Sequence, residues 1–176
     1  EIHALMGENG AGKSTLIKAL TGVYAIDSGT ITVAGKPVIF RNTSDAQAAG
    51  ISTVYQEVNL CPNLSVGENV MLGHEPRRGG RIDWKGVHVR AAEHLDGLGL
   101  RIDTRTMLSS HSLAIQQLVA ISRAMVLDSR VLILDEPTSS LDRGEVEQLF
   151  AVGRDLRASG VAILFVSHFL EQVYEI

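Results

Sequence analysis

The stretch "ALMGENGAGKSTL", residues 4–16, decides the fold, because a glycine-rich turn joins an apolar strand to the start of a helix. The spacing of a phosphate-binding loop is met by Gly7, Gly12, Lys13 and Ser14. Glycines in such a loop let backbone N–H groups turn toward phosphate oxygens, and the following helix adds the positive end of its dipole. We therefore predict a triphosphate site, with Lys13 at the β and γ phosphates and Ser14 as a Mg²⁺ ligand.

Composition and charge favour a soluble globular chain of 176 residues, either one domain or two tightly joined lobes. The net charge is −4 and no run of Lys or Arg exceeds two residues, which argues against electrostatic binding to nucleic acid. Cys61 is the single cysteine, so the chain cannot build a disulfide framework. A strand at the start and a helix at the end suggest a piece of a longer protein.

Apolar runs and helical periodicity alternate at the two ends of the sequence, which predicts an α/β fold with a parallel sheet. Strands are predicted at 2–6, 30–34, 37–40, 51–55, 131–134 and 161–166, and helices at 14–20, at about 113–127 and from 142 onward. No strand is predicted in residues 57–110. We expect a core formed by residues 1–56 and 126–176, with a helical subdomain at 57–125.

The apolar strand "VLILDEP", residues 131–137, ends in two acids. Asp135 is predicted at the carboxyl end of a parallel strand, the same edge as the phosphate loop, where it can hold Mg²⁺, usually through water. Glu136 is predicted on the other side of the strand end, where it can take a proton from an attacking water. The alternative is that two acids simply end a strand.

Two further polar residues follow predicted strands. His168 comes after the last apolar run, so an imidazole N–H can reach a γ phosphate at that edge. Gln56 ends the strand that leads into the helical segment, from where it can touch the metal or the water. An ordinary histidine after a strand and an ordinary surface glutamine are the competing interpretations.

Taken in this order, these residues resemble the ATP-binding subunits of ABC transporters, and the resemblance covers almost the whole chain. "DEPTSSLD", residues 135–142, strengthens it, although Asp142 alone is equally typical of a helix cap. The family also carries a Leu-Ser-Gly-Gly-Gln signature whose serine lies 23 positions before the Mg²⁺ aspartate, as Ser112 does here. The other signature residues are replaced by His111, Leu113, Ala114 and Ile115.

Within the family, the chain looks most like the ATPases of bacterial monosaccharide importers, with galactofuranose-type and ribose-type systems among them. The stretches that carry this likeness are "YQEVNL", "LSVGENVMLG", "RIDW" and "ILFVSHFLEQVYEI". The likeness is specifically to the first of the two ATP-binding domains in those proteins. The resemblance implies a P-loop NTPase fold, with a RecA-like parallel core and an inserted helical subdomain. It implies ATP hydrolysis that powers sugar import at the cytoplasmic face of the membrane.

The resemblance also assigns roles. It implies Mg²⁺ ligands at Ser14, Gln56 and Asp135, catalytic residues at Gln56, Glu136 and His168, and Ser112 serving the opposite nucleotide of a domain pair. ATP would be held by Gly7, Glu8, Asn9, Gly10, Ala11, Gly12, Lys13, Ser14 and Thr15.

The implied partners are integral membrane permease subunits, a second nucleotide-binding domain in the same chain or a homodimer, and, indirectly, a periplasmic sugar-binding protein. The alternative is a soluble ABC-type ATPase in translation or chromosome maintenance. Chromosomal relatives insert a long coiled coil, whereas only about a hundred residues without sustained heptads separate loop and signature here. Translational relatives are expected to be more basic than this chain, whose net charge is −4. A small-molecule kinase ranks last, because it gives Glu136, Ser112 and His168 no purpose.

Overall fold

The computed structural model describes residues 1–8, 10–56 and 59–176. A short 3₁₀ turn at Leu108–Ser110 accompanies the regular elements. In chain order these are β1 (Ile2–Met6), α1 (Lys13–Leu20), β2 (Ile31–Val33), β3 (Lys36–Val38), α2 (Thr43–Ala48), β4 (Ile51–Val54), α3 (Val66–Met71), β5 (Arg77–Arg78), β6 (Arg81–Ile82), α4 (Trp84–Gly97), α5 (Leu113–Met125), β7 (Val131–Asp135), α6 (Arg143–Ala158), β8 (Ala162–Ser167) and α7 (Leu170–Glu175).

A four-stranded parallel sheet, in the order β1-β8-β7-β4, forms the centre of the fold. Its strands are short apolar runs joined by helical crossovers, as parallel pairing requires. The carboxyl ends lie in register, with Met6 beside Ser167 and Asp135 beside Val166. The predicted α/β fold with a parallel sheet is confirmed.

The sheet is covered on both faces. Alternation along β7 sends Leu132 and Leu134 into one core cluster and Ile133 into the other. Phe150 of α6 packs edge-on against Phe165 of β8 on the first face, with ring centroids 5.7 Å apart. The second core cluster contains α1 and α2, so α1 and α6 lie on opposite faces and fix the strand ends between them.

The segment between β4 and β7 packs its helices into the first core cluster, through buried residues such as Val70, Ala91 and Leu118. Ser65 begins α3 with the predicted capping box to Glu68, and Asp83 begins α4 by accepting a hydrogen bond from the N–H of Gly86. Asn42 caps α2, a helix that the sequence analysis missed.

The prediction that no strand lies in residues 57–110 was wrong. β5 and β6 form an antiparallel hairpin around Gly79 and Gly80, whose φ angles of 59° and 81° allow the tight turn that connects such strands. The paired residues include three exposed arginines, Arg77, Arg78 and Arg81, so the hairpin lacks the apolar alternation that identifies a strand in sequence. Among the described residues, no helix is long and apolar enough to cross a bilayer.

Candidate active site

The phosphate loop connects β1 to α1 through two glycines in the left-handed region. Gly10 has a φ of 87° and Gly12 a φ of 90°, a conformation that costs other residues about 1–2 kcal/mol. Gly12 is the N-cap of α1 and offers no side-chain cap, so backbone N–H groups at this helix start are available to an anion. Asn9, also predicted to belong to the loop, lies outside the described residues.

Lys13 folds back over this loop. Its Nζ donates hydrogen bonds to the backbone oxygens of Gly7, at 2.6 Å, and Glu8, at 3.2 Å. Within the described part of the chain, no carboxylate comes within 4.0 Å of this ammonium. At Gly7 a Cβ would lie 3.0 Å from the Cβ of Ala11, so the loop closes tightly on itself. Lys13 is therefore held over the loop by backbone oxygens, and no ion pair to a described residue neutralises its charge.

Asp135 is the last residue of β7, and Glu136 turns the chain out of the sheet. Glu136 has a φ of 47°, which is uncommon for a residue with a side chain, and its N–H donates to the oxygen of Val166 at 2.9 Å. Burial raises the pKa of Asp135, the charge of Glu136 raises it further, and Lys13 opposes both effects. A cation close to Asp135 would favour its ionised form.

His168 lies immediately after β8, the neighbour of β7, and its ring meets Glu136. The two side chains approach at 3.1 Å between Nδ1 and Oε1, with 40% of the histidine side chain and 13% of the glutamate side chain exposed. The ring also packs against the ring of Phe169, tilted by 39° with centroids 4.0 Å apart. The imidazole is thus fixed beside the acid while one of its sides stays accessible to solvent.

A single cleft of about 300 Å³ unites most of the predicted site residues. The phosphate loop, the end of β4 and the end of β7 supply its walls, which are formed by Glu8, Gly10, Gly12, Lys13, Ser14, Thr15, Gln56, Asp135 and Glu136. His168 adjoins it through Glu136.

Ser112 does not line this cleft. It is exposed at the N-cap of α5, where its Oγ accepts a hydrogen bond from the N–H of Ile115 at 3.4 Å. The neighbouring His111 is bound to Thr106, with 2.7 Å between its Nε2 and Oγ1. These contacts hold the start of α5 from within the chain and leave the hydroxyl of Ser112 at the surface.

The donor set of the cleft suits Mg²⁺ only together with a phosphate ligand. Nowhere in residues 1–8, 10–56 and 59–176 do three or more His, Cys, Asp or Glu side chains gather as a metal cluster. The cleft instead offers oxygens of Ser14, Gln56 and Asp135. Mg²⁺ is typically held by one or two carboxylates together with substrate phosphates and water. The residues therefore fit a magnesium ion that arrives with a nucleotide.

One polar side chain beside the site was not singled out from the sequence. The Oε1 of Gln172 accepts hydrogen bonds from Thr138 Oγ1 at 2.5 Å and from Ser167 Oγ at 3.3 Å. The only sequence signal was its position in a helix four residues after His168, which does not reveal the two partners.

Comparisons with known proteins identify the family of this chain. The family described as "ABC transporter" matches residues 1–139. The fructose import ATP-binding protein FruK of Bifidobacterium longum is 69% identical over the whole chain, and the galactofuranose transporter ATP-binding protein YtfR of Escherichia coli is 56% identical. The chain spans 34% and 35% of these two relatives, about a third of their length.

Solved structures match over nearly the whole chain. The ADP conformation of an ATP-binding cassette of an ABC transporter superposes with a TM-score of 0.84 at 24% identity, covering 99% of this chain and 73% of that one. CbiO1 of Clostridium perfringens, part of an ABC transporter complex, gives 0.82 at 26% identity, with 98% and 69% covered.

Proposed function

The chain belongs to the ABC transporter family, and from this premise we propose that it is the ATP-binding and ATP-hydrolysing part of a sugar importer. The proposal depends above all on the cleft that the phosphate loop, Gln56, Asp135 and Glu136 line together. Relatives named for fructose and galactofuranose import support a monosaccharide as the transported substrate. They do not favour the soluble alternative.

ATP binding would use the loop and the helix behind it. The N–H groups at the start of α1 would meet the phosphates, and Lys13 would exchange its bonds to the carbonyls of Gly7 and Glu8 for phosphate oxygens. This exchange would replace one set of hydrogen bonds to the half-buried ammonium with another, so binding would not leave the cation without partners.

Magnesium would be held by Ser14, Asp135 and Gln56. When bound, Mg²⁺ supplies positive charge against the oxygens of the β and γ phosphates. Burial beside Glu136 raises the pKa of Asp135, so Mg²⁺ would have to displace any proton on this carboxyl, while the negative charge of Glu136 would help to attract the cation. Gln56 lies two residues beyond the end of β4 and brings an amide oxygen to the same cleft.

Hydrolysis would use Glu136 as the general base. Its carboxylate would take a proton from water as the water oxygen attacks the γ phosphorus and the bond to the ADP oxygen breaks. His168 lies 3.1 Å from this carboxylate and would orient it, or donate a hydrogen bond to the γ phosphate. The proposed base would thus directly follow the proposed metal ligand Asp135, at a residue with left-handed backbone.

Two kinds of partner complete the proposal. A second nucleotide-binding domain, in the same chain or as a homodimer, would use Ser112 at the exposed start of α5 for its own nucleotide. Permease subunits in the membrane would use the energy of ATP hydrolysis and take the sugar from a periplasmic binding protein. This domain would then lie at the cytoplasmic face of the membrane.

A groove of about 170 Å³ is the proposed contact for the permease. Its lining includes Thr53 of β4, Leu72 after α3 and Arg123 of α5. Arg123 Nη1 also donates to the oxygen of Asn59 at 3.0 Å, which ties α5 to the chain shortly after Gln56. The helical subdomain is proposed as residues 57–125, so its movement would shift both Gln56 and Ser112. The subdomain would have two alternative positions, and the bound nucleotide would determine which one is populated.

The test is Glu136→Gln in the full-length protein, with exposed Glu93→Gln as the matched control. We expect Glu136→Gln to bind ATP and to hydrolyse it at least about a hundredfold more slowly, while the control hydrolyses it at the ordinary rate. Near-normal hydrolysis by Glu136→Gln would remove this residue from the role of base. Copurification with ribosomes instead of membrane subunits would overturn the transport assignment.

A further inference from the structure

Gln172 joins the two chain segments that carry the proposed base and the histidine. One hydrogen bond reaches Thr138, two residues after Glu136, and the other reaches Ser167, one residue before His168. Thr138 and Ser167 are almost fully buried, with 3% and 1% of their surface exposed. Their hydroxyls therefore depend on protein partners, and Gln172 supplies one acceptor for both.

These contacts complete a closed ring. From Glu136 the ring runs through Thr138 to Gln172, returns through Ser167 to His168, and closes with the 3.1 Å contact between His168 and Glu136. Ser167 has a second task, because its Oγ also accepts the N–H of Phe169 at 3.0 Å. The turn after β8 is thus fixed on both sides of His168.

We propose that Gln172 is a positioning residue for ATP hydrolysis, which holds Glu136 and His168 at their working separation through Thr138 and Ser167. This inference rests on the proposed function, since it gives Glu136 and His168 their catalytic roles. Gln172 itself contacts neither residue through the hydrogen bonds described above, so its effect passes through the two buried hydroxyls. Misplacement by about 1 Å can reduce a rate by up to about a hundredfold.

The test compares four variants of the full-length protein in steady-state ATP hydrolysis. Gln172→Leu keeps the approximate size of the side chain but removes the acceptor, and we expect kcat to fall about tenfold with a KM for ATP within about twofold of the original. Gln172→Glu keeps an acceptor oxygen for both hydroxyls and should retain most of kcat. Thr138→Val removes one of the donors. Glu171→Gln, on the exposed neighbouring residue, is the control.

A double-mutant cycle separates positioning from general loss of structure. We expect Gln172→Leu combined with Thr138→Val to be little worse than Gln172→Leu alone, because both changes break the same ring. The inference would be overturned by full additivity of the two substitutions or by an unchanged kcat in Gln172→Leu. It would also be overturned if kcat, ATP affinity and Tm fell in parallel without rescue by Gln172→Glu. If Glu136→Gln leaves hydrolysis intact, the proposed function itself fails. If Glu136→Gln loses hydrolysis but the Gln172 variants keep the original kcat, the proposed function stands and Gln172 has no positioning role.

Discussion

The left-handed backbone at Glu136 predicts that catalysis and stability oppose each other at this position. We compare Glu136→Gly with Glu136→Ala, since both remove the carboxylate and its contact with His168, while both keep the N–H bond to Val166. The two variants differ mainly in backbone preference at a φ of 47°. Glycine avoids the cost of about 1–2 kcal/mol that alanine carries there.

Part of that advantage is lost, because the conformational entropy that glycine loses on folding costs about 0.5–1 kcal/mol more than that of alanine. Glu136→Gly should therefore be more stable than Glu136→Ala by about 0.5–1 kcal/mol, or roughly 1–4 °C in the Tm of this domain. Thermal unfolding of the full-length protein measures the difference. Steady-state phosphate release should show that both variants have lost hydrolysis.

The same pair of substitutions at Glu147 is the matched control. Glu147 lies within α6, with 70% of its side chain exposed, so alanine should there be more stable than glycine by about 1 kcal/mol. A reversal of sign between the two sites is the expected result. An alanine variant at position 136 that melts at or above the glycine variant would refute the strain argument, and hydrolysis within tenfold of the original would refute the role as base.

Asp135→Asn should raise the Tm at neutral pH, because the raised pKa of Asp135 means that folding disfavours its ionised form. The wild-type deficit develops as pH rises through the raised pKa and vanishes below the ordinary one, so melting curves across the acid range should converge at low pH. Lys13→Ala should reduce ATP hydrolysis, measured as phosphate release, to a small fraction of the original rate. Ser112→Ala should retain most of that rate, since the signature around Ser112 is already degenerate. Full activity in Lys13→Ala would contradict this asymmetry. Asn69→Leu should cost about 2–3 kcal/mol in thermal unfolding, because fully buried Asn69 bonds the N–H and oxygen of Cys61 and the oxygen of Ser65; an unchanged Tm would show that these bonds contribute nothing net.

Much of the fold could be predicted because its signals are local. The apolar runs that became β7 and β8 bury both faces, and the glycine spacing around Lys13 suits one type of loop. The hairpin of β5 and β6 could not be predicted, because its exposed arginines have the composition of a loop and its turn glycines specify geometry without identifying a strand.

The cleft was predictable for a topological reason. Parallel strands deliver their carboxyl ends to one edge, so the phosphate loop, Asp135 and Glu136 had to approach each other. The contacts of Lys13 with backbone oxygens and of Gln172 with Thr138 were not predictable. The Lys13 contacts lie within one loop but depend on how that loop folds back, whereas the contact of Gln172 with Thr138 joins residues that are distant in the sequence. Neither spacing nor residue type reveals such contacts.

The strand register has a consequence for how such a domain can vary in length. Removing one residue from β7 would exchange the faces of Leu132 and Ile133 and move Asp135 by about 3.3 Å relative to Val166. The amino ends of the strands are less constrained, since exposed Gly160 turns the chain from α6 into the amino end of β8, away from the proposed catalytic residues at its carboxyl end. Insertions and deletions during evolution should therefore accumulate at the amino ends of the strands, while the segments that feed the carboxyl ends keep a fixed number of residues.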